Sequence, residues 1–303
     1  MSATSNTTLC FLGCGNLGHP ILKSLVSNST GQNSTSAFNR FIACVRSENS
    51  ERRLKEEFAQ SSGKLIISRG NNVQAVQDSD VIILAVDPSD IESVLKQSGL
   101  REALANKLLI SVAAGWTRQA LEKTLYGSET TESNTHGRAW VIRTLPNIAA
   151  QVSQSLTAIE VSEPSPPEAY VQTTDSIFEQ VGKTVHIPPK LMEATTAVAG
   201  STPAFFAVIV DAMIDAAVAV GVPRDMAHTM VFQSMQGTAS ILQSGVHPAM
   251  LRDQGTSPEG CTIGGLMVME EAGVRGHVGR ALREAVTIAR LMDGTRHLND
   301  TRE

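Results

Sequence analysis

Thr8-Leu9-Cys10-Phe11-Leu12-Gly13-Cys14-Gly15-Asn16-Leu17-Gly18-His19-Pro20-Ile21-Leu22-Lys23-Ser24-Leu25-Val26 is the stretch that decides the fold. An apolar strand pattern runs into Gly13-x-Gly15-x-x-Gly18 and out into a helix pattern, the context in which this glycine spacing has a physical meaning. Gly13 permits a tight turn, Gly15 lets backbone approach a pyrophosphate, and Gly18 allows helix to pack closely on strand. The helix start then offers unpaired N–H groups and partial positive charge to phosphates.

Outward from that unit, a Ser/Asn/Thr/Gly-rich segment at residues 27–36 reads as a solvated loop. A second strand over 40–45, a charged helix over 51–60, a strand over 64–68 and a polar helix over 72–78 follow. Val81-Ile82-Ile83-Leu84-Ala85-Val86, stopped by Asp87-Pro88, is a continuous apolar run, as expected of a strand buried on both faces. Helix 91–97, strand 108–112 leading into Ala113-Ala114-Gly115, helix 117–125 and strand 139–143 continue the alternation. Repeated β-α-β units predict a Rossmann-like, doubly wound parallel sheet. Ligands of such sheets bind beyond the carboxyl ends of the strands. The segments Gly13 to Gly18, Arg46-Ser47, Ala85 to Pro88 and Ala113 to Gly115 are therefore site candidates together.

Past Glu163-Pro164-Ser165-Pro166-Pro167 one helix over 169–180 and one strand over 184–187 are expected. Beyond Pro188-Pro189 no strand pattern recurs, so the chain divides into a dinucleotide-binding domain over 1–189 and an all-α domain over 190–303. The run from Ala204 to Val220 is nearly long enough to span a bilayer, but Asp211 and Asp215 sit one helical turn apart in it. Each would cost a few kcal/mol at a membrane centre. The run is read as a helix buried in a bundle or at an interface between subunits, not in a membrane. Asp211 and Asp215 are read as a stripe facing a polar neighbour in preference to an acid–base dyad.

Composition narrows the class. The 303 residues, 42% of them hydrophobic, allow sizeable cores. A net charge of −5 with no basic run, and only 4% aromatics, argue against nucleic acid as partner. Cys10, Cys14, Cys44 and Cys261 form no Cys-x-x-Cys pair, and the histidines show no ligand spacing, so no metal site is expected. Residues 1–6 lack the pattern of a secretory signal, which makes the cytoplasm the expected compartment.

The end of the second strand selects the cofactor. NAD-binding sheets present an acid there to the ribose 2′-hydroxyl, whereas Arg and small hydroxyl residues accommodate a 2′-phosphate. Arg46-Ser47, followed by Arg52 and Arg53, favours NADPH, with NADH as the alternative. In the helical domain, hydroxyl and glycine residues interrupt two helices between Leu251 and Leu266. The amides of Gly260, Cys261, Thr262 and Ile263 would be free at the next helix start, a place suited to a carboxylate.

Thr256-Ser257-Pro258-x-Gly260-x-Thr262-Ile263 with Gly265-Leu266, Glu270-Glu271 and Gly273 resembles the signature of the pyrroline-5-carboxylate reductase family. So do Ala199-Gly200-Ser201-x-Pro203-Ala204-Phe205 and Arg143-x-x-Pro146-Asn147, and the matches run in family order from Gly13 to about Arg290. The resemblance implies reduction of the C=N bond of Δ1-pyrroline-5-carboxylate to L-proline by NAD(P)H. It implies a C-terminal dimerisation domain and a homodimer through its helices, with a decamer of such dimers as the larger assembly. It also implies that Thr262 hydrogen-bonds the imine nitrogen, that Gly260 to Ile263 hold the carboxylate, and that Gln254, Thr256 and Ser257 line the pocket. Cofactor contacts implied are Gly13, Cys14, Gly15, Asn16, Leu17, Gly18, Arg46, Ser47, Asn72, Ala85, Val86, Asp87, Pro88, Ala113, Ala114, Gly115 and Asn147. Without the resemblance, Thr262 would read as a helix N-cap serving its own backbone.

The chain departs from the family pattern at Asp87, where Lys is usual, and at Glu259, where Gly is usual. It departs also at Cys261, Thr202, Pro189 and Asp211. These departures keep two other readings beside the first. One is a reductase of a related cyclic imino acid such as piperideine carboxylate; the other is an NADPH-binding relative without catalysis.

Overall fold

The computed structural model describes residues 7–29, 38–61 and 63–292. Most of the loop expected over residues 27–36 lies outside them. Two compact units are present: one runs to Gly200 and includes residues 288–292, and the other comprises residues 201–287. The second unit thus begins at Ser201, later than the boundary read at residue 189.

The first unit is built on eight strands: β1 (Thr8–Leu12), β2 (Arg40–Val45), β3 (Leu65–Arg69), β4 (Val81–Leu84), β5 (Leu108–Ser111), β6 (Trp140–Leu145), β7 (Ser155–Glu160) and β8 (Gly182–Ile187). Their order across the sheet is β3-β2-β1-β4-β5-β6-β7-β8. Pairing is parallel throughout except between β6 and β7, where Thr144 faces Ile159 and Leu145 faces Ala158. The apolar runs β1, β4 and β5 are buried along their whole length, because helices cover both faces of a parallel sheet. β7 has no counterpart in the sequence reading.

The helices of this unit are α1 (Gly18–Asn28), α2 (Glu48–Glu57), α3 (Asn72–Gln77), α4 (Ile91–Leu95), α5 (Leu100–Ala103), α6 (Arg118–Tyr126), α7 (Glu168–Phe178) and α8 (Met192–Thr195). Ser47 caps α2 by accepting the Ser50 amide, and Thr117 caps α6 by accepting the Ala120 amide. Gly127 stops α6 at φ +74°, a conformation that favours glycine. After α8 the backbone widens into a π-helical turn over Thr196–Ser201. One core packs Leu9, Phe11, Phe41 and Ile83 against α1 and α7; the other packs Cys10, Leu12, Ile82 and Leu84 against α3 to α6.

The second unit is all helical: α9 (Thr202–Ala219), α10 (Arg224–Gln243), α11 (Pro248–Gln254), α12 (Cys261–Glu271) and α13 (Val274–Leu291), the last of which ends among the residues of the first unit. Within α9 Ile214 is buried, whereas Phe206, Val208 and Met213 are exposed on the single chain. Asp215 pairs with Arg224 at 2.7 Å, while Asp211 shows no ion pair among the described residues.

Candidate active site

Strand order reverses at β1, whose neighbours are β2 and β4, and the loops leaving β1 and β4 diverge there to open a crevice. The glycine turn sits at that point. Gly13 has φ +94°, and a Cβ on it would stand 2.7 Å from the Ala85 carbonyl carbon and oxygen and the Val86 nitrogen. Gly18 is closed off as well, since a Cβ there would meet the Gly13 oxygen at 2.6 Å. Gly15, in contrast, has nothing within 4 Å of where its Cβ would be. The turn is jammed at its two ends and open in the middle, the shape a pyrophosphate cradle requires.

A cleft of about 540 Å³ extends from this turn. Of the residues singled out from the sequence, Gly13, Cys14, Gly15, Arg46, Ser47, Asn72, Ala85, Val86 and Asp87 line it. Arg53, read from the sequence beside Arg46, lines it too, as do Ser50, Gly70, Asp90, Ser93 and Gln97, which the sequence did not single out. The signal for Ser50 was in the sequence: Ser47, Ser50 and Arg53 are spaced by three, so the start of α2 turns all three to one side. Ser47 Oγ lies 2.9 Å from Ser50 Oγ, a paired-hydroxyl surface beside Arg46. Arg46 Nη1 donates to Asp90 Oδ2 at 2.8 Å. Asp87 Oδ1 accepts both the Ser89 amide, at 3.0 Å, and the Ser89 hydroxyl, at 2.7 Å. Those two hydrogen bonds hold the Asp87 carboxyl below its ordinary range, with a smaller contribution from Arg46.

Other residues expected at the cofactor have different surroundings. Leu17 packs on the core, and Asn16 lies with His19 and Lys23 in a second cavity of about 620 Å³. The Pro88 carbonyl accepts the Trp116 indole N–H at 3.0 Å. Ala113, Ala114 and Gly115 follow the carboxyl end of β5 but do not line the cleft. Asn147 Oδ1 accepts the Ala149 amide at 3.1 Å and its Nδ2 donates to the Ala199 carbonyl at 2.9 Å. Each end of that amide is engaged once with the protein itself, and through Ala199 Asn147 braces the π-helical turn.

Two of the cleft residues are thiols. Burial pushes the Cys14 thiol up to about 12, and Cys10, whose Sγ is 4.0 Å from Cys44 Sγ, is raised as well. Cys44 lines the cleft beside Cys14, and burial of both leaves them as small apolar walls. Among the described residues no group of His, Cys, Asp and Glu is arranged to hold a metal.

In the second unit, the segment between α11 and α12 closes on itself. Gly255 N–H donates to Leu251 O, Thr256 N–H and Oγ1 both donate to Asp253 O, and Gly260 N–H donates to Ser257 O at 3.0 Å. The Gly260 amide is thus not free, a correction: the turn that presents the helix consumes it. Gly260 is the N-cap of α12, and the first intrahelical bond runs from Gly264 N–H to Gly260 O. Cys261, Thr262 and Ile263 amides therefore point out of the first turn. Thr262 is inside the helix and exposed, so it is not the N-cap. Gln254 ends α11, and Ser257 and Cys261 are exposed. Glu259 has φ +58°, a left-handed backbone that favours glycine.

Comparison with known proteins matches the two parts of the chain to separate family models. Residues 189–292 match the family model described as pyrroline-5-carboxylate reductase dimerisation, and residues 8–115 match one described as NADP oxidoreductase, coenzyme F420-dependent. A pyrroline-5-carboxylate reductase of Lophium arboricola is 39% identical, covering 98% of this chain and 97% of that protein. One from Neurospora crassa is 34% identical over 100% of this chain and 98% of its own. The solved pyrroline-5-carboxylate reductase of Coxiella burnetii superimposes with a TM-score of 0.77 at 26% identity, over 97% of this chain and 100% of that one.

Proposed function

The chain belongs to the pyrroline-5-carboxylate reductase family, and from that premise we infer that the protein reduces the C=N bond of Δ1-pyrroline-5-carboxylate to L-proline, the last step of proline biosynthesis. A nicotinamide dinucleotide, which supplies the hydride when bound, fits the first unit: Gly13 and Gly18 shape the turn, and the open space at Gly15 admits the phosphates. NADPH is the dinucleotide we propose, with NADH the weaker donor. Arg46 and Arg53, with the hydroxyls of Ser47 and Ser50, line the cleft where a ribose 2′-phosphate would need cations and donors.

The substrate's carboxylate is assigned to the amides of Cys261, Thr262 and Ile263, where the α12 dipole adds partial positive charge. The Thr262 hydroxyl donates to the imine nitrogen and orients the ring. A hydrogen bond that strengthens as charge shifts at that nitrogen lowers the barrier more than it tightens binding. The reduction also needs one proton at that nitrogen as the hydride reaches the carbon; it comes from solvent through the Thr262 hydroxyl, and the other side chains need only orient the ring and exclude bulk water.

Residues 189–292 form a dimerisation region. A homodimer through these helices, assembling further to a decamer, is the proposed state, and it gives the exposed apolar side chains Phe206, Val208 and Met213 of α9 a partner. By length and apolar composition alone, Pro189–Ala219 would be able to cross a membrane. The dimerisation match over the same residues supports the interface reading. The cytosol is the proposed compartment, and four free cysteines suit its reducing conditions.

The observation that carries the reading is the pairing, in one chain, of a glycine-turn cleft with a second-unit helix start bearing Thr262. Following NADPH oxidation with synthetic pyrroline-5-carboxylate, and L-proline by mass spectrometry, tests it. Turnover of the five-membered ring is expected; turnover of the six-membered piperideine carboxylate alone, or of neither, would overturn it.

A further inference from the structure

Arg46 does not stand free at the end of β2. Its guanidinium is held by Asp90 at 2.8 Å, and Asp87 stands at the same rim, so the cleft sets two carboxylates beside this cation. Arg53, on the same cleft, makes no ion pair among the described residues. The Arg46–Asp90 pair is open to water, with Arg46 85% exposed and Asp90 36% exposed at the side chain, so it can be exchanged for another anion. Asp90 makes no capping hydrogen bond with its side chain at the start of α4, so the fold does not need the carboxylate there.

We propose that Asp90 is a specificity-determining residue for the dinucleotide: it occupies the Nη1 donor of Arg46, one of the two that a bidentate ribose 2′-phosphate would take. The phosphate-bearing dinucleotide must displace a carboxylate that the phosphate-free one leaves in place. A bidentate phosphate needs two adjacent guanidinium donors, so a carboxylate already on Nη1 competes with it. The consequence is a preference for NADPH that Arg53, Ser47 and Ser50 create and Asp90 narrows. This rests on the dinucleotide assignment made above and refines it.

Calorimetric titration of the full-length protein with adenosine 2′,5′-bisphosphate and with 5′-AMP reads the 2′-phosphate directly, without turnover. Asp90→Asn should raise the ratio of the two affinities by roughly three- to fivefold, the size an exposed ion pair commands. Asp90→Ser is the second variant, and it should move the ratio the same way. In an Arg46→Ala background the effect of Asp90→Asn should vanish, because the two residues act as one pair. A ratio unchanged by either Asp90 variant would show that the carboxylate does not compete. A lowered ratio would show that it orients Arg46 for the phosphate, and each result overturns the proposal while leaving the dinucleotide site intact. Failure of the wild-type protein to bind either nucleotide would overturn both.

Discussion

Arg143 donates from Nη2 to Glu193 Oε1 across 2.7 Å, joining β6 to the start of α8. A second carboxylate, Glu160 at the end of β7, has Oε2 3.7 Å from Arg143 Nη1. One buried cation thus faces two carboxylates, and Arg143 Nε, Glu160 Oε1 and Glu193 Oε2 have no hydrogen-bond partner among the described residues. Burial is the main reason the Glu160 carboxyl is raised above its ordinary value of 4.5; Arg143 and Arg118 oppose the rise, and Glu193 adds to it.

Removing Glu160's charge should therefore cost little or stabilise. A carboxyl raised by folding contributes stability that is whole below pH 4.5 and lost as pH climbs through the raised value. Glu160→Gln should unfold at an equal or higher urea concentration than wild type at pH 8, with the gap shrinking toward pH 5. Arg143→Met leaves the two carboxylates unpaired and should cost about 3–5 kcal/mol at pH 8. A wild type clearly more stable than Glu160→Gln at pH 8 would contradict this account.

Thr262→Ala should lower kcat by on the order of 10²-fold, the usual cost of one donor that acts in the transition state. Its exposed place in the first turn of α12 makes the change in stability no more than about 0.5 kcal/mol. Thr262→Ser should restore most of the rate. Steady-state kinetics beside thermal unfolding separate the two effects, and an unaltered kcat in Thr262→Ala refutes the assignment.

Glu259→Gly should stabilise the α11–α12 turn by about 1 kcal/mol, since a side chain at φ +58° strains a backbone that glycine adopts freely. Gly260→Ala should do the reverse. Its Cβ would stand 2.5 Å from Ser257 Oγ and 3.1 Å from the Ser257 carbonyl oxygen. About 1–3 kcal/mol is the expected penalty, read from denaturant midpoints.

Maleimide treatment at pH 8 should label Cys261 and spare the other three thiols. Cys261 is exposed at the first position of α12, whereas Cys10, Cys14 and Cys44 are buried, with Cys14 pushed up to about 12. Labelling should abolish turnover by filling the place assigned to the substrate carboxylate, and Cys261→Ala should be resistant. Peptide mapping that finds Cys14 modified first would argue against the burial described.

Much of this architecture is legible in the sequence because parallel strands are apolar on both faces and announce themselves, as Val81–Leu84 and Leu108–Ser111 do. β7 escapes for the opposite reason. It buries Ser155, Thr157 and Glu160, polar residues that read as loop until Arg143 and the antiparallel β6 are seen beside them. The glycine turn and the Thr256–Ile263 segment are contiguous, and contiguous chemistry is readable. Asp90 and Gln97 reach the cleft only because β1 and β4 are neighbours, a pairing across sequence-distant strands that no local pattern encodes.

The turn between α11 and α12 has a kinetic consequence. Its bonds from Gly255, Thr256, Gly260 and Gly264 each reach back no more than four residues. Contacts so local form on the timescale of a helical turn, ahead of any pairing that must close a long loop. The amides that open the first turn of α12 are accordingly set by local contacts, whereas the cleft at the other end of the chain waits on the slower pairing of β1, β2 and β4.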